Sequence, residues 1–249
     1  MIKWTYQNKL AAGAISASSA VATLPAANVV NYLKQKTWRA TGSTSEWIKF
    51  DLGAAQAIRF MAIVGHNLTP SAVVHFQMNA SDSWGAPSID ITAAWNAGII
   101  LYEWTADQSY RWIRITIADP TNPKGYVEVG VAWAGVEASP TRNARAYRLI
   151  PVDPSLITET ADGPEMGAKK SKYNVVEFEF RNVDFAAFKT LWASVGIMGH
   201  FFIIVDYENA ILTDGRHDLT FYGHLERGPE FESTYRDRGN LRLSFREAR

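Results

Sequence analysis

The sequence predicts a mostly β protein with two domains, the second of which is an α+β domain. Runs in which apolar and polar residues alternate recur along most of the chain, and this period of two is typical of half-buried strands. One stretch, residues 182–192, changes to the period of a helix. The polar, proline-containing segment Ser139-Pro140-Thr141 separates two groups of strands, so we expect domains at residues 1–138 and 139–249.

The clearest strand of the first domain covers residues 47–52, where tryptophan, lysine and aspartate alternate with three apolar residues. Residues 57–64 are almost continuously apolar, and the short connection through Gly53 predicts an antiparallel hairpin between these two strands. Residues 73–80 and 110–118 alternate in the same way and predict two further strands, each with one face towards a core.

Three motifs in this part of the chain carry a resemblance to a known family. They are Ser45-Glu46-Trp47-Ile48-Lys49-Phe50-Asp51-Leu52-Gly53, Ala80-Ser81-Asp82-Ser83-Trp84 and Tyr110-Arg111-Trp112-Ile113-Arg114-Ile115-Thr116-Ile117. In this order, with an aliphatic strand after the first, they resemble the discoidin or coagulation-factor type C family, over residues 24–136. The resemblance implies a galactose-binding-like, jelly-roll β-sandwich in residues 1–138.

The same resemblance implies that Trp38 lies near a loop at the ligand-binding end of the sandwich. If the domain is a carbohydrate-binding module, Trp38 and Trp84 are the predicted ligand-binding residues, and their rings would stack on sugars. At Trp38 the alternative is a ring that covers the end of the sandwich. In the turn at Asp82, the serine and aspartate side chains can bond to nearby backbone amides or hold a calcium ion, but the turn contains one carboxylate and calcium usually takes several oxygen ligands.

The second domain combines strands with one helix. Residues 147–153, 175–180, 201–207, 217–225 and 241–247 predict strands, and residues 155–172 predict a polar loop that is too long for a simple connection. Between the second and third strands, Phe185 and Phe188 with Leu191 or Trp192 form one apolar stripe of a helix that we expect to pack on the antiparallel sheet. Asn182 or Asp184 is the expected N-cap.

The order of elements in the second domain carries another resemblance. The segments are Leu191-Trp192, Gly199-His200-Phe201-Phe202-Ile203, Tyr222-Gly223-His224-Leu225-Glu226 and Leu241-Arg242-Leu243-Ser244-Phe245-Arg246-Glu247. Over residues 144–249 they resemble the tail-tube-like domain of phage distal tail and related tail-tip proteins. The resemblance implies a ring-forming domain with six subunits around the tail axis, or three.

Two groups of residues are predicted to contact a neighbouring copy in such a ring. The long segment supplies apolar and basic side chains that could dock on another subunit, namely Leu156, Ile157, Met166, Lys169 and Lys170. The second group precedes the last strand and consists of Arg236, Asp237 and Arg238, which form either a solvated edge or a charged seam between subunits.

Composition and motifs exclude several classes of function. The 25 basic and 25 acidic residues balance, so no net charge favours nucleic acid or an anionic membrane, and no apolar run is long enough to span one. Cysteine is absent from the sequence, the five histidines are scattered, and the paired glutamates have the i, i+2 spacing of a solvated strand face. With no recognised catalytic motif, we predict a protein that is not an enzyme and needs no cofactor or metal.

Taken with the two resemblances, these features predict a structural component of a bacteriophage tail tip or baseplate. It would form a ring that links the tail tube to distal tail proteins, after synthesis in the host cytoplasm and assembly into the virion. Its partners would be its own copies, the tail tube, other tail-tip proteins and a glycan of the host surface. The alternative is a carbohydrate-binding module attached to an accessory domain.

Overall fold

The computed structural model describes residues 2–138, 146–159, 165–205, 219–235 and 238–248. The chain divides into two compact units. The N-terminal unit contains Lys3–Ala138 and Ile203–Thr220, and the C-terminal unit contains Met1–Ile2, Ser139–Phe202 and Phe221–Arg249. The described part is mostly β, with two large antiparallel sheets and one short α-helix. None of its helices combines the length and the apolar character needed to cross a membrane.

The N-terminal region contains nine strands and two short 3-10 helices, Lys9–Ala12 and Ala26–Val30. The strands are β1 (Ile2–Thr5), β2 (Ala14–Ala17), β3 (Trp38–Arg39), β4 (Glu46–Val64), β5 (Val73–Asn79), β6 (Ile89–Ala93), β7 (Ile99–Ala118), β8 (Glu128–Val129) and β9 (Val131–Gly135). The main sheet has the order β2-β4-β7-β5-β6, with β9 also paired to β4, and β3 pairs with β8 in a separate two-stranded sheet.

The hairpin predicted between residues 47–53 and 57–64 is wrong, because both segments belong to the single strand β4. Its first part pairs with β2 and β7, and its last part pairs with β7 and β9. The register with β7 shifts between Asp51 and Gln56, around Gly53, which has a φ of 75°. Glycine adopts this φ without strain, so the chain forms an irregularity in the strand and continues without reversing.

The core of this unit lies on one face of the main sheet. Ile48 and Phe50 of β4, Phe76 of β5 and Ile113 and Ile115 of β7 are all almost fully buried. They are the apolar members of the alternating runs, so the predicted division of these strands into an inner and an outer face is confirmed.

The described residues after 138 contain further strands and the α-helix; residues 203–205 and 220 of these strands belong to the N-terminal unit and the rest to the C-terminal unit. The strands are β10 (Ala146–Val152), β11 (Leu156–Glu159), β12 (Glu165–Ala168), β13 (Tyr173–Asp184), β14 (Phe201–Val205), β15 (Thr220–Leu225), β16 (Glu230–Tyr235) and β17 (Arg238–Glu247). Within this part of the chain β15, β17, β13 and β10 are neighbours in that order in one sheet, to which β16 is added by pairing with β17. β11 and β12 pair only with each other among the described strands, so the predicted long loop over residues 155–172 contains two short paired strands.

The helix, α1 (Phe185–Val195), follows directly after β13. Phe188 and Leu191 are buried, and the Phe188 ring centroid lies 5.3 Å from that of Phe180 on β13, so the helix packs on the sheet as predicted. Trp192 is 38% exposed, so the inward position belongs to Leu191 and the assignment of Trp192 to the stripe is wrong. Of the two predicted N-caps, Asn182 lies three residues before the first residue of the helix and is excluded, whereas Asp184 lies immediately before it.

Candidate functional site

The outer face of the main sheet of the N-terminal unit carries a cluster of tryptophans and charged side chains. We call this surface the tryptophan face, and it consists of Trp47, Lys49, Asp82, Trp84, Trp112 and Arg114. Because Ile48 and Phe50 point into the core, Trp47 and Lys49 on the same strand point outward. The tryptophan face is therefore built on regular strands, with Asp82 and Trp84 added from the turn after β5.

Lys49 lies between two of the tryptophan rings. Its Nζ atom is 5.5 Å from the ring centroid of Trp47 and 5.3 Å from that of Trp112. An ammonium within about 6 Å of an indole ring is attracted by the negative potential of the ring face. The cation thus lies within range of a favourable contact with both rings.

Asp82 connects the turn to the sheet. Its carboxylate accepts hydrogen bonds from Lys49 Nζ at 2.9 and 2.7 Å and from Trp84 Nε1 at 2.6 Å. The hydrogen bond from Lys49 and then that from Trp84 lower the pKa of Asp82. Because its carboxylate accepts hydrogen bonds from these two partners, protein contacts hold the turn in place.

Arg114 extends the cluster across the next strand. Its guanidinium lies 4.4 Å from the ring centroid of Trp84, and its Nε donates to Gln77 Oε1 at 2.7 Å. Gln77 Nε2 in turn donates to Asp90 Oδ2 at 2.8 Å, and His75 Nδ1 lies 2.8 Å from Asp90 Oδ1. These bonds join β5, β6 and β7 through side chains on the outer face, so the surface is held rigid over three strands.

At the other end of the tryptophan face, Arg111 and Asp51 form a bidentate ion pair. Arg111 Nε lies 2.6 Å from Asp51 Oδ1, and a second guanidinium nitrogen lies 2.7 Å from Oδ2. The hydrogen bond from Arg111 is the main reason that the pKa of Asp51 is lowered to about 2. The Arg111 guanidinium is also 5.5 Å from the Trp112 ring centroid, so this pair borders the cluster.

The chemistry of this surface suits a polar, uncharged ligand. The three cations Lys49, Arg111 and Arg114 have three carboxylates as neighbours, those of Asp51, Asp82 and Asp90.

Balanced charges give no attraction for a polyanion. Indole rings offer apolar faces, whereas carboxylates and guanidiniums offer hydrogen-bond acceptors and donors at their edges.

The structure separates the two predicted ligand-binding tryptophans. Trp38 is fully buried and its Nε1 donates to the Ser19 carbonyl at 2.9 Å, so it has no ring face for a sugar and that assignment is wrong. Trp84 is half-buried on the tryptophan face and remains a candidate. Sequence reasoning missed Trp47 and Trp112, although both occupy the outward positions of strands whose alternation was recognised.

The predicted subunit contacts lie in the C-terminal unit. Leu156 and Ile157 on β11 are 58% and 74% exposed, and Lys169 and Lys170 are exposed after β12. Met166 lies in β12, at a position whose side chain is not described. Of the charged group, Arg238 is exposed at the start of β17, whereas Arg236 and Asp237 lie outside the described residues. These contacts stay predictions.

No protein-family model matches this sequence, and no curated protein matches it. Among solved structures, a variant of chitosan-binding module 1 from a Paenibacillus sp. IK-5 chitosanase/glucanase has 18% identity and a TM-score of 0.42, covering 53% of this chain and 99% of the module. A Streptococcus pneumoniae fucose-binding module has 11% identity and a TM-score of 0.42, covering 52% of this chain and 95% of its own.

The family 32 carbohydrate-binding module of C. perfringens NanJ, solved with galactose, is similar in the same way. It has 13% identity and a TM-score of 0.43, and the match covers 55% of this chain and 100% of the module. The structural similarity to these galactose-binding-like β-sandwich modules extends over about half of the chain.

Proposed function

We propose that the N-terminal unit binds a carbohydrate on the tryptophan face. The observation that carries the proposal is that three tryptophans, Trp47, Trp84 and Trp112, share one solvent-facing side of a rigid sheet with paired cations and carboxylates. A sugar ring has an apolar face of C–H groups, which stacks on an aromatic ring, and a rim of hydroxyls, which both donate and accept hydrogen bonds. The tryptophan face provides a complement to each part.

The state of the carboxylates favours binding over hydrolysis. A glycosidase needs one carboxylic acid that keeps its proton near neutral pH, which requires a raised pKa. Hydrogen bonds from Lys49 and Trp84 lower the pKa of Asp82, and those from Arg111 lower that of Asp51. Both groups are therefore ionised acceptors, suited to hold sugar hydroxyls.

The proposal is tested by screening the full chain on a glycan array and measuring the best sugar by calorimetry. Trp112→Ala and Trp84→Ala should each weaken binding at least about tenfold, because truncation of a tryptophan at the centre of an interface commonly costs about 2 kcal/mol or more. Trp192→Ala is the matched control, since this tryptophan is 38% exposed but belongs to the C-terminal unit. A sugar bound equally well by all three variants would contradict the assignment to this face.

A second function, compatible with the first, is that of a structural component of a phage tail tip. The observation that favours it is the β11–β12 hairpin, on which Leu156 and Ile157 expose 58% and 74% of their surface. Exposed neighbouring aliphatic side chains are typical of a surface that another protein covers. We propose that the hairpin contacts the adjacent copy in a ring of the virion, with the N-terminal unit directed to a host glycan.

Deletion of residues 156–170, bridged by a short Gly-Ser linker, tests this second function. We expect the shortened protein to keep both folded units but to lose ring formation, as seen by electron microscopy and analytical ultracentrifugation. A milder variant, Ile157→Ser, should weaken assembly in the same direction. Rings formed by the deletion variant would show that the hairpin is not the contact.

A further inference from the structure

The outer face of the C-terminal sheet contains a groove of about 530 Å³. Its wall consists of residues from β10, β13 and β17 and of one residue after β15, namely Ala146, Tyr147, Arg148, Glu177, Phe178, Glu179, Arg227, Arg242 and Leu243. We call it the arginine groove. Its volume lies in the range of about 300–1,000 Å³ that is common for small-molecule sites.

Two of the three arginines in this groove, Arg148 and Arg242, lack an ionic partner among the described residues, although the strand register places each of them opposite a glutamate. Arg242 lies opposite Glu179 on β13 and opposite Glu230 on β16. The Glu179 carboxylate is instead paired with Arg181 at 2.9 Å, and the Glu230 carboxylate with Arg227 at 3.2 Å. Arg242 thus forms an ion pair with neither of these two glutamates.

Arg148 is in the same condition on the other side of the groove. It lies directly opposite Glu177 in the register of β10 and β13, yet the two side chains form no ion pair within the described part of the chain. The groove therefore presents two unpaired guanidiniums, Arg148 and Arg242, on the strands that flank β13, and the unpaired carboxylate of Glu177 on β13 itself.

We propose that the arginine groove binds a small molecule with one carboxylate and several hydroxyl groups, for which a hexuronic acid is the simplest example. A guanidinium presents a planar fork of N–H donors that matches a carboxylate. Strands two apart in a sheet are separated by about 10 Å, a distance that two long arginine side chains can close around one ligand.

The glutamates in the groove determine which charge and which hydrogen-bonding groups the ligand must have. Three arginines and two glutamates line it, so the groove carries one excess positive charge. One excess charge matches a monocarboxylate, whereas a phosphate or a polyanion would be repelled by Glu177 and Glu179. These carboxylates only accept hydrogen bonds, so the ligand must donate, as hydroxyl groups do. This site lies in the C-terminal unit, and the inference is independent of sugar binding on the tryptophan face.

The test is calorimetric titration of the full chain with sodium D-glucuronate, with D-glucose and inorganic phosphate as comparison ligands. We expect glucuronate to bind and both others to bind at least about tenfold more weakly, since hydrogen bonds to charged groups contribute about 1.5–3 kcal/mol. The double variant R148Q/R242Q should lose glucuronate binding. Lys124→Gln, which removes one exposed cation from the N-terminal unit, is the matched control and should bind as the wild type.

Glu177→Gln provides a readout that general charge attraction cannot mimic. It should weaken glucuronate by removing an acceptor for its hydroxyls, while it strengthens phosphate by removing a repulsive charge. The Trp112→Ala variant should bind glucuronate like the wild type, which separates this site from the tryptophan face. Undetectable glucuronate binding, unchanged binding by R148Q/R242Q, or tighter binding of phosphate than of glucuronate by the wild type would each overturn the proposal.

Discussion

The outer faces of the two sheets differ in whether their charged side chains form ion pairs. On the tryptophan face, Lys49 is paired with Asp82, and Arg111 at its border with Asp51, so charge is neutralised locally. In the arginine groove, Arg148 and Arg242 face glutamates in the register but form no ion pair with them within the described residues. The difference teaches that strand register alone does not pair charges: Arg242 loses both of its register partners to other arginines, whereas Arg148 and Glu177 lie opposite each other and stay unpaired in the described part of the chain.

The largest expected effect tests whether the two faces belong to independently stable units. Phe188 is 1% exposed and its ring contacts Phe180, so Phe188→Ala should destabilise the C-terminal unit by about 3–5 kcal/mol. Thermal unfolding followed by calorimetry should show an early transition for this unit and an unchanged transition for the N-terminal unit. Trp192→Ala serves as the control with little effect. If both transitions shift together, the two units unfold as one cooperative structure and the expectation of independent stability is wrong.

An effect of intermediate size on stability is expected at a buried cluster of charged side chains in the N-terminal unit, in which two carboxylates share one ammonium. Lys3 Nζ lies 2.6 Å from Glu103 Oε1 and 3.4 Å from Glu137 Oε2, so one ammonium serves two carboxylates. Burial and then the charge of Glu103 raise the pKa of Glu137 from its ordinary 4.5 to about 7. Glu137 thus favours its protonated form in the folded protein.

The sign of the pH dependence follows from this raised pKa. The contribution of Glu137 to stability is fully present below about pH 4.5 and is lost as the pH rises to about 7, a change of about 3 kcal/mol. The variant Glu137→Gln cannot ionise, so its unfolding free energy should depend less on pH across this window. Urea unfolding at a series of pH values measures both proteins, and parallel curves would contradict the assignment.

The smallest effect on stability is expected at the exposed pair that borders the tryptophan face. Replacement of Arg111 by glutamine removes the hydrogen bonds that hold the pKa of Asp51 at about 2, so this pKa should rise towards 3.8. Exposed ion pairs contribute little to stability, and the melting temperature should stay nearly unchanged. Titration followed by NMR measures the pKa; an unmoved value would show that the backbone N–H of Gly53 alone stabilises the carboxylate.

Much of the strand pattern was predictable because alternation directly reports which side chains are buried. Phe178 and Phe180 are inward and Glu177 and Glu179 outward, as their period of two indicates. The same rule failed at Gly53, where a glycine suits a reversal of the chain and a strand irregularity equally well. Only the partners of β4, which are distant in sequence, distinguish the two.

The candidate sites were less predictable than the fold. Outward tryptophans are visible in the sequence, but their convergence depends on Lys49 and Arg114 lying opposite each other on β4 and β7. Trp38 illustrates the reverse error, since a tryptophan near a loop is buried here by long-range contacts. The arginine groove could not be predicted from the sequence. Glu179 can pair with Arg181 or with Arg242, and neither composition nor spacing shows that it pairs with Arg181.

The pairing of β4 with β9 has a consequence for synthesis. Phe60 on β4 pairs with Gly135 on β9, and the Trp133 indole donates to Thr5 across 128 residues. The last part of β4 therefore lacks its β9 partner until the ribosome has added residue 135, roughly ten seconds after the start of synthesis at about 5–20 residues per second. During that interval the apolar end of β4 is an open strand edge on which another nascent chain can pair, so early chaperone capture should matter more for this protein than for one whose strands pair with sequence neighbours.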